Sequence, residues 1–460
     1  MSTISSTSSH KLNTILLRNL ILPGGDIFFG QRMMEHLKFL EEAQWWNIDQ
    51  INNYQNDMLS HLIKIAYDEV PFYRELLLKS KISPDEIRNT DDLQRLPIVT
   101  KEMLRKGYPK FVTRSTGHKT YEVSTSGSTG KNFVVREDLY TAGLYRATFL
   151  LDLEWAGWSI GDPHLQTGMT INRSLDKRLK DWALRCYYHS AYRLDEKNLN
   201  EILTIIEKHK IKFVFGYPGS IYYLAKYASK VGWNQPLRSV VTWGDMLYPN
   251  VRKKIEDTFQ TRVFDTYGCG EGVQIAAQCE QGNYHIHALD TIVEFVDDNG
   301  KNVSEGISGN IVITRLHPGP MPLIRYSVGD VGKTSFEKNC GCGRQLPMME
   351  SIDGRSGDVI TTPSGNHLIV HFFTGILEHF PEIDSFQVVQ KSDNTLLLKI
   401  QPYNEIDAFT INEIVRMLME KGCDDMNIET EIVPSIPLSP MGKHRFIINE
   451  TNIKYEKQPN

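Results

Sequence analysis

The sequence predicts an α/β fold in two unequal parts: a large N-terminal domain of mixed and parallel sheets with flanking helices, and a small α+β C-terminal domain. Three observations lead there. The chain has 460 residues, more than one ordinary domain and short of three. Between residues 198 and 275, short β-branched runs alternate with amphipathic stretches of ten or so residues, the pattern of βαβ units on a parallel sheet. The last hundred residues change character to a hairpin, a helix and a strand.

In chain order, residues 1–10 are polar and low in complexity and are expected to be disordered. From His36 to Leu78 apolar residues recur at spacings of three and four, as in Leu59, Leu62, Ile63 and Ala66, so this stretch reads as helical with an interruption at Pro71. Leu96-Pro97-Ile98-Val99-Thr100-Lys101 breaks the pattern, and Thr100 can cap the next helix. Glu122 to Ser126 reads as a strand before a glycine-rich turn. Helix Leu199 to His209, strand Ile211 to Phe215, helix Ile221 to Ser229 with Ser220 as its N-cap, strand Val240 to Trp243, helix Asn250 to Phe259 and strand Arg262 to Asp265 follow. A segment without apolar residues, Asp353 to Asp358, separates residues 1–352 from 353–460. Beyond it, Ser385 to Gln390 and Thr395 to Gln401 flank the turn Ser392-Asp393-Asn394. A helix from Asp407 to Lys421 and a strand from Met426 to Val433 complete the small unit.

Composition excludes more than it assigns. Hydrophobic residues are 40% and charged residues 23%, as in a folded enzyme rather than a disordered chain. A net charge of -5 supplies no basic excess for a nucleic-acid backbone. No segment reaches the roughly 18 apolar residues of a membrane span; the nearest, Leu16 to Gly30, carries Arg18, Pro23 and Asp26. Six cysteines are too few for a disulfide framework, so a cytoplasmic location is expected.

The glycine-rich loop Ser124-Thr125-Ser126-Gly127-Ser128-Thr129-Gly130-Lys131 can turn successive N–H groups toward one anion, with hydroxyls and a lysine adding donors and charge. It is not a Walker A loop: only two residues separate Gly127 from Gly130, and Asn132 follows Lys131 where Ser or Thr would be required. The loop resembles the signature of the adenylate-forming superfamily, and the resemblance recurs in order along the chain. Asp265-Thr266-Tyr267-Gly268-Cys269-Gly270-Glu271 is similar to the adenine and magnesium motif, and Arg325-Tyr326-Ser327-Val328-Gly329-Asp330 to the ribose motif. Gly354-Arg355-Ser356-Gly357-Asp358 is similar to the hinge motif, and Pro440-Met441-Gly442-Lys443 to the catalytic-lysine loop. Val70-Pro71-Phe72-Tyr73, Leu96 to Lys101 and Phe215-Gly216-Tyr217-Pro218 resemble the phenylacetate–CoA ligase and CapK-like branch.

The resemblance implies an enzyme that joins a small carboxylic acid to ATP as an acyl adenylate, releases pyrophosphate, and passes the acyl group to CoA. Ser126, Gly127, Ser128, Thr129, Gly130 and Lys131 would hold the outer phosphates. Tyr267 beside Gly268 would stack on adenine, and Gly244 and Asp245 would line its edge, with Asp where Glu is usual. Glu271 would coordinate Mg²⁺, a hard cation that prefers carboxylate oxygen. Asp330 would take both ribose hydroxyls. Arg355 would reach ribose or phosphate, and Lys443 would neutralise charge at the α-phosphate. Gly357 stands where the family often has Asp and would ease rotation of the small domain. Taken singly, Asp330 reads as a turn residue and Lys443 as a solvated lysine; the ordered set carries the argument.

Four cysteines fall between residues 269 and 342. Cys279, His285, Cys340 and Cys342 offer three thiolates and an imidazole, the donor set of a closed structural Zn²⁺ site, with His287 as the competing fourth ligand. Cys269 reads as small and packed rather than nucleophilic. Two other functions stay open: transfer of the acyl group to an amine, a sugar or a carrier protein, as in CapK-like members tied to polysaccharide biosynthesis, and a non-catalytic nucleotide-binding homologue. A homodimer is allowed. Tyr145, Trp155, Trp158, Tyr217 and Trp243 could line an aromatic-acid pocket or belong to the core.

Overall fold

The computed structural model describes residues 17–126, 132–169, 173–191, 193–247, 249–297, 299–352, 359–364, 367–377, 379–436 and 446–450. The glycine-rich loop from Gly127 to Lys131, the hinge motif with Arg355 and Gly357, and the loop with Lys443 lie outside the described residues, as do residues 1–10.

An N-terminal layer of helices comes first: Leu17–Ile21 running into Leu22–Phe29, then Met33–Ala43, Ile48–Glu69 and Pro71–Ser80. The sequence reading missed the break at residues 44–47, where Asn47 accepts from Gln50 N and Gln50 reaches back to Asn47 N as a capping box. The interruption at Pro71 is present, with proline at the first helical position. Tyr73 is fully enclosed, and its hydroxyl donates to Pro322 O at 2.8 Å and accepts from Ile324 N at 3.1 Å. That clamp ties the helical layer to the sheet.

The strands are β1 (Thr120–Ser126), β2 (Asn132–Asp138), β3 (His164–Gly168), β4 (Cys186–Ser190), β5 (Phe213–Gly216), β6 (Ser239–Thr242), β7 (Arg262–Cys269), β8 (Val273–Gln278), β9 (Tyr284–Ile286), β10 (Thr291–Val296), β11 (Ser308–Arg315), β12 (Tyr326–Thr334) and β13 (Met348–Ile352). β1 and β2 form a separate antiparallel hairpin on either side of residues 127–131. The others make one eleven-stranded sheet in the order β10-β11-β12-β13-β9-β8-β7-β6-β5-β3-β4. From β4 to β7 the pairing is parallel, and from β7 to β10 it is antiparallel. This is the predicted mixed α/β architecture. Helices Glu196–Lys208, Pro218–Lys230 and Pro249–Phe259 connect the parallel strands, burying Leu199, Ile202, Ile206, Leu224 and Ile255 against Val214, Val240 and Val263.

Two elements depart from expectation. Ser220 is not the N-cap of its helix: the helix begins at Pro218, and the Ser220 hydroxyl instead bonds Tyr217 O at 2.9 Å and Thr167 Oγ1 at 2.8 Å. Proline has no N–H to satisfy and a preset φ, so it opens the helix three residues earlier. β7 also runs on to Cys269, past the expected Asp265, because it gains an antiparallel partner in β8.

The C-terminal part has β14 (Val359–Thr361), β15 (His367–Ile369), β16 (Ile383–Ser392), β17 (Thr395–Pro402), β18 (Asn427–Ile432) and β19 (Ile447–Asn449). β16 and β17 form the expected hairpin inside a four-stranded sheet, β18-β17-β16-β19. Asp407 caps helix Ala408–Leu418 by accepting from Thr410 N at 2.7 Å. Phe372, Phe373, Ile376, Ile414 and Leu418 cover the sheet residues Phe386, Val388, Leu398 and Ile400 in a separate core, which also takes in Ala191 and against which Met169 and Tyr217 pack.

Candidate active site at the strand ends

In an open sheet of parallel strands, ligands bind beyond the carboxyl ends. There β5 ends at Gly216, β6 at Thr242, and β7 carries Asp265 to Cys269. Gly244 has φ +83° and lies so near the Tyr217 ring that a Cβ would stand 2.6 Å from Cε1, so both conformation and space require glycine. Trp243 meets Phe149 edge-on at 5.3 Å and Tyr217 at 6.5 Å. Trp155 and Trp158 are buried in the core, so of the five aromatics named from the sequence only Tyr145, Tyr217 and Trp243 remain as pocket candidates.

β7 and β12 are separated by β8, β9 and β13 in the sheet, yet their residues meet at the site. The Tyr267 hydroxyl donates to Asp330 Oδ2 at 3.0 Å. Tyr326 donates from its hydroxyl to Glu271 Oε1 at 2.8 Å, and Lys101 Nζ lies 2.9 Å from the same oxygen. The register of β12 on β11 slips between Asn310 and Val312, and Gly329 sits there with φ +86°. That bulge re-aims Asp330 toward β7.

Lys101 is delivered by the Leu96-to-Lys101 segment. Val99 N donates to Arg325 O at 2.8 Å, and Ser327 N donates to Val99 O at 2.9 Å. Thr100 caps the helix Lys101–Gly107 as expected, accepting from Met103 N at 3.3 Å. The buried Arg325 guanidinium holds this segment, donating to Leu96 O, to Gly300 O at 2.8 Å and to Glu294 at 2.9 Å. Arg325, the first residue of the ribose motif, is therefore a clamp on the Leu96-to-Lys101 segment rather than a ligand-facing group.

Glu271 is 1% exposed. Burial alone would raise its pKa, but the Lys101 charge and the hydrogen bonds of Lys101, Tyr326 and Cys269 outweigh it and hold the carboxyl below its usual range. Burial and the neighbouring Glu271 push the Cys269 thiol well up, so it stays protonated, in accord with a packed residue. Asp265, at the start of the same motif, is pushed up to about 6 by burial, although the Thr242 hydroxyl and the Tyr284 hydroxyl, at 2.6 Å, donate to it.

A second cluster lies where β8, β9 and β13 meet. The ligand atoms of Cys279, His285, Cys340 and Cys342 lie within 4.8 Å of one another. Cys279 Sγ is 3.6 Å from Cys340 Sγ, and Cys342 Sγ is 3.3 Å from His285 Nε2. A disulfide would need about 2.05 Å, whereas ligands 2.0–2.3 Å from one tetrahedral ion stand roughly 3.3–3.8 Å apart. Gln281 N and Arg344 N donate to Cys279 and Cys342 at 3.4 and 3.5 Å, which suits thiolates. His285 Nδ1 faces Leu346 O at 3.1 Å, so Nδ1 holds the proton and Nε2 presents its lone pair to the cluster. His287, the competing ligand, is instead 2.9 Å from Asp152 Oδ1. These four residues fit a metal ion.

Thus the structure brings together Tyr267, Asp330 and Glu271, keeps Gly244 and Asp245 at the neighbouring strand end, and gathers the cysteines with His285. Among the residues proposed to bind phosphate, Ser126 ends β1 and the others lie outside the described residues. Sequence reasoning missed Lys101 and Tyr326 as partners of Glu271; the signal was that a buried carboxylate requires a counter-charge.

Residues 360–450 match the family described as the CapK C-terminal domain. Protein CapK of Staphylococcus aureus is 24% identical over 450 residues, covering 96% of this chain and 98% of the relative. Phenylacetate-coenzyme A ligase of Thermus thermophilus is 26% identical over 358 residues, covering 74% of this chain and 78% of the relative. Among solved structures, 2-hydroxyisobutyryl-CoA ligase in the postadenylation state, in complex with R3-HIB-AMP, has the same fold at TM-score 0.59 and 19% identity, over 89% of this chain and 92% of that one.

Proposed function

We propose that the chain belongs to the phenylacetate–CoA ligase and CapK-like branch of the adenylate-forming superfamily, and that it activates a carboxylic acid with ATP and transfers the acyl group to CoA. In the first step a carboxylate oxygen attacks the α-phosphorus, and the bond to the bridging oxygen breaks, releasing pyrophosphate. In the second, the CoA thiolate attacks the acyl carbon and AMP leaves. The observation that carries this reading is the Tyr267–Asp330 pair, which sets an aromatic ring beside a carboxylate at the strand ends. The ring would stack on adenine, and the carboxylate would accept from the ribose hydroxyls. Gly244 and Asp245 would line the purine edge.

Glu271, held ionised, is the ligand we assign to Mg²⁺, which when bound neutralises charge between the phosphates. Lys101 holds its Oε1 and keeps the carboxyl ionised, as a ligand for that cation would have to be. Ser126, Ser128, Thr129 and Lys131 would hold the β- and γ-phosphates, with Gly127 and Gly130 giving backbone access. Arg355 would contact ribose or phosphate, and Lys443 would neutralise charge at the α-phosphate. We place the domain division at residues 352 and 353, with the small domain rotating about Gly357 between the half-reactions. We assign structural Zn²⁺ to Cys279, His285, Cys340 and Cys342, and a cytoplasmic location.

The similarity to CapK over 98% of its length supports a second reading, in which an amine, a sugar or a carrier protein is the acceptor. Carboxylate-dependent exchange of labelled pyrophosphate into ATP, across a panel of acids, tests the first step. We expect Lys443→Ala to lower it at least about a hundredfold; unchanged exchange would instead point to a non-catalytic homologue. Supplying CoA or an amine then separates the two acceptors.

A further inference from the structure

The helix Leu175–Ala183 turns its apolar side outward. Leu175, Leu179 and Trp182 recur at i, i+4 and i+7, one stripe on the helix, and are 81%, 65% and 77% exposed. Single exposed apolar side chains are ordinary on a protein surface, but three on successive turns of one helix form a contiguous patch that calls for an occupant. Lys177, Arg178 and Lys180 are exposed on the same helix. Beside it opens a cavity of about 890 Å³ against the edge strand β4, where Arg173, Arg178, Arg185 and Arg193 outnumber the acids Asp181 and Glu201, and Trp182 forms part of the wall. Arg173 is preset there, donating from Nε to Asp181 Oδ2 at 2.9 Å and stacking over the Tyr188 ring at 4.1 Å. Trp182 belongs to both the stripe and the cavity wall, so the two surfaces are continuous.

Charge narrows the occupant. Residues 173–193 contain six Lys or Arg against two Asp, a local surplus of positive charge in a chain of net charge -5. A second copy would set this patch against itself across a two-fold axis, like charge on like. A short helix with Leu and Trp on one face and Lys and Arg flanking them is the form that lies in a bilayer interface, with Trp at headgroup level. No described helix is long and apolar enough to cross a membrane, so the contact is peripheral. We propose that the helix Leu175–Ala183 docks the protein on an anionic phospholipid surface. Leu175, Leu179 and Trp182 enter the boundary between headgroups and acyl chains, and the arginine-lined cavity takes lipid phosphate.

Co-sedimentation of the full chain with vesicles tests this, using phosphatidylcholine alone and an equal mixture of phosphatidylcholine and phosphatidylglycerol. The chain should bind the mixed vesicles and not the neutral ones, and added salt should release it. Leu179→Ala with Trp182→Ala should abolish binding, and Arg178→Gln should weaken it roughly fivefold. All three positions are exposed, and unchanged thermal melting confirms that the variants fold. Equal binding to both vesicles, no binding to the mixed ones, or full binding by the double variant each overturns the proposal. So does a dimer in vesicle-free solution that the double variant dissolves, which assigns the face to a second copy. Capture of polyglutamate without any vesicle binding assigns it to an acidic protein and likewise overturns the proposal.

Discussion

Lys101 Nζ stands 2.9 Å from Glu271 Oε1, and Tyr326 donates to the same oxygen, so the proposed metal-binding carboxylate is already charge-matched before any cation arrives. The partners are far apart in sequence and come together only because Leu96 to Lys101 docks on the start of β12. Lys101→Met leaves Glu271 ionised and buried without its counter-charge, which should cost about 2 kcal/mol, less than a fully buried pair because Lys101 is partly exposed. Glu271→Gln should instead raise the Mg²⁺ concentration needed for pyrophosphate exchange. Because the folded pKa of Glu271 is depressed, the pair's stabilisation is complete above the unfolded value of about 4.3 and is lost as pH falls through the lower folded value. Denaturant midpoints of wild type and Lys101→Met should therefore converge in acid. A constant difference at every pH would contradict the pairing.

The Tyr267–Asp330 bond makes separable predictions for nucleotide binding. Tyr267→Phe keeps the ring and loses one hydrogen bond, worth about 1 kcal/mol, so the KM for ATP should rise roughly fivefold with little change in kcat. Asp330→Ala removes the acceptor for the ribose hydroxyls and should raise that KM by roughly ten- to a hundredfold. Deoxyadenosine nucleotides provide the readout specific to the role. If wild type and Asp330→Ala discriminate ATP from its 2′-deoxy analogue equally, Asp330 does not hold the ribose.

What was readable in the sequence follows the range over which each feature is encoded. Tyr267, Gly268 and Glu271 lie within one strand and its turn, so a local motif reveals them. The donor set of the cysteine cluster shows in residue chemistry alone. The choice between His285 and His287 does not, because it is settled by Asp152 on a distant helix. Lys101 was hidden for the same reason. Ser220 was misassigned as an N-cap because a local preference for serine was allowed to override the proline two residues before it. The stripe of Leu175, Leu179 and Trp182 shows in the sequence as periodicity, but periodicity says only that a helix has an apolar side and not whether that side faces inward.

The cysteine cluster predicts a bound metal. Protein purified without added zinc should carry about one Zn²⁺ per chain. Cys342→Ser should lower that content and the melting temperature together, because the site joins β8, β9 and the segment before β13 and its binding energy is folding energy. His287→Ala should leave metal content intact, since its ring is engaged by Asp152. Metal-free protein that melts at the same temperature with and without zinc would end the assignment.

Asp265 gives a prediction of opposite sign to Glu271. Burial pushes its carboxyl up to about 6, so the folded state holds a proton that the unfolded chain releases near its ordinary value. The stability linked to that proton is complete below about pH 4 and is lost as pH rises through the folded value. Asp265→Asn cannot ionise; Thr242 and Tyr284 bond separate oxygens of Asp265, so the amide oxygen can accept from one hydroxyl and the amide NH2 can donate to the oxygen of the other. The variant should match wild type at pH 4 and become more stable above pH 6, by on the order of 2 kcal/mol. Urea titrations across this range measure the difference directly. A variant less stable than wild type at neutral pH would mean that the carboxyl is not raised in the fold, the hydrogen bonds and the charge of Arg252 outweighing burial.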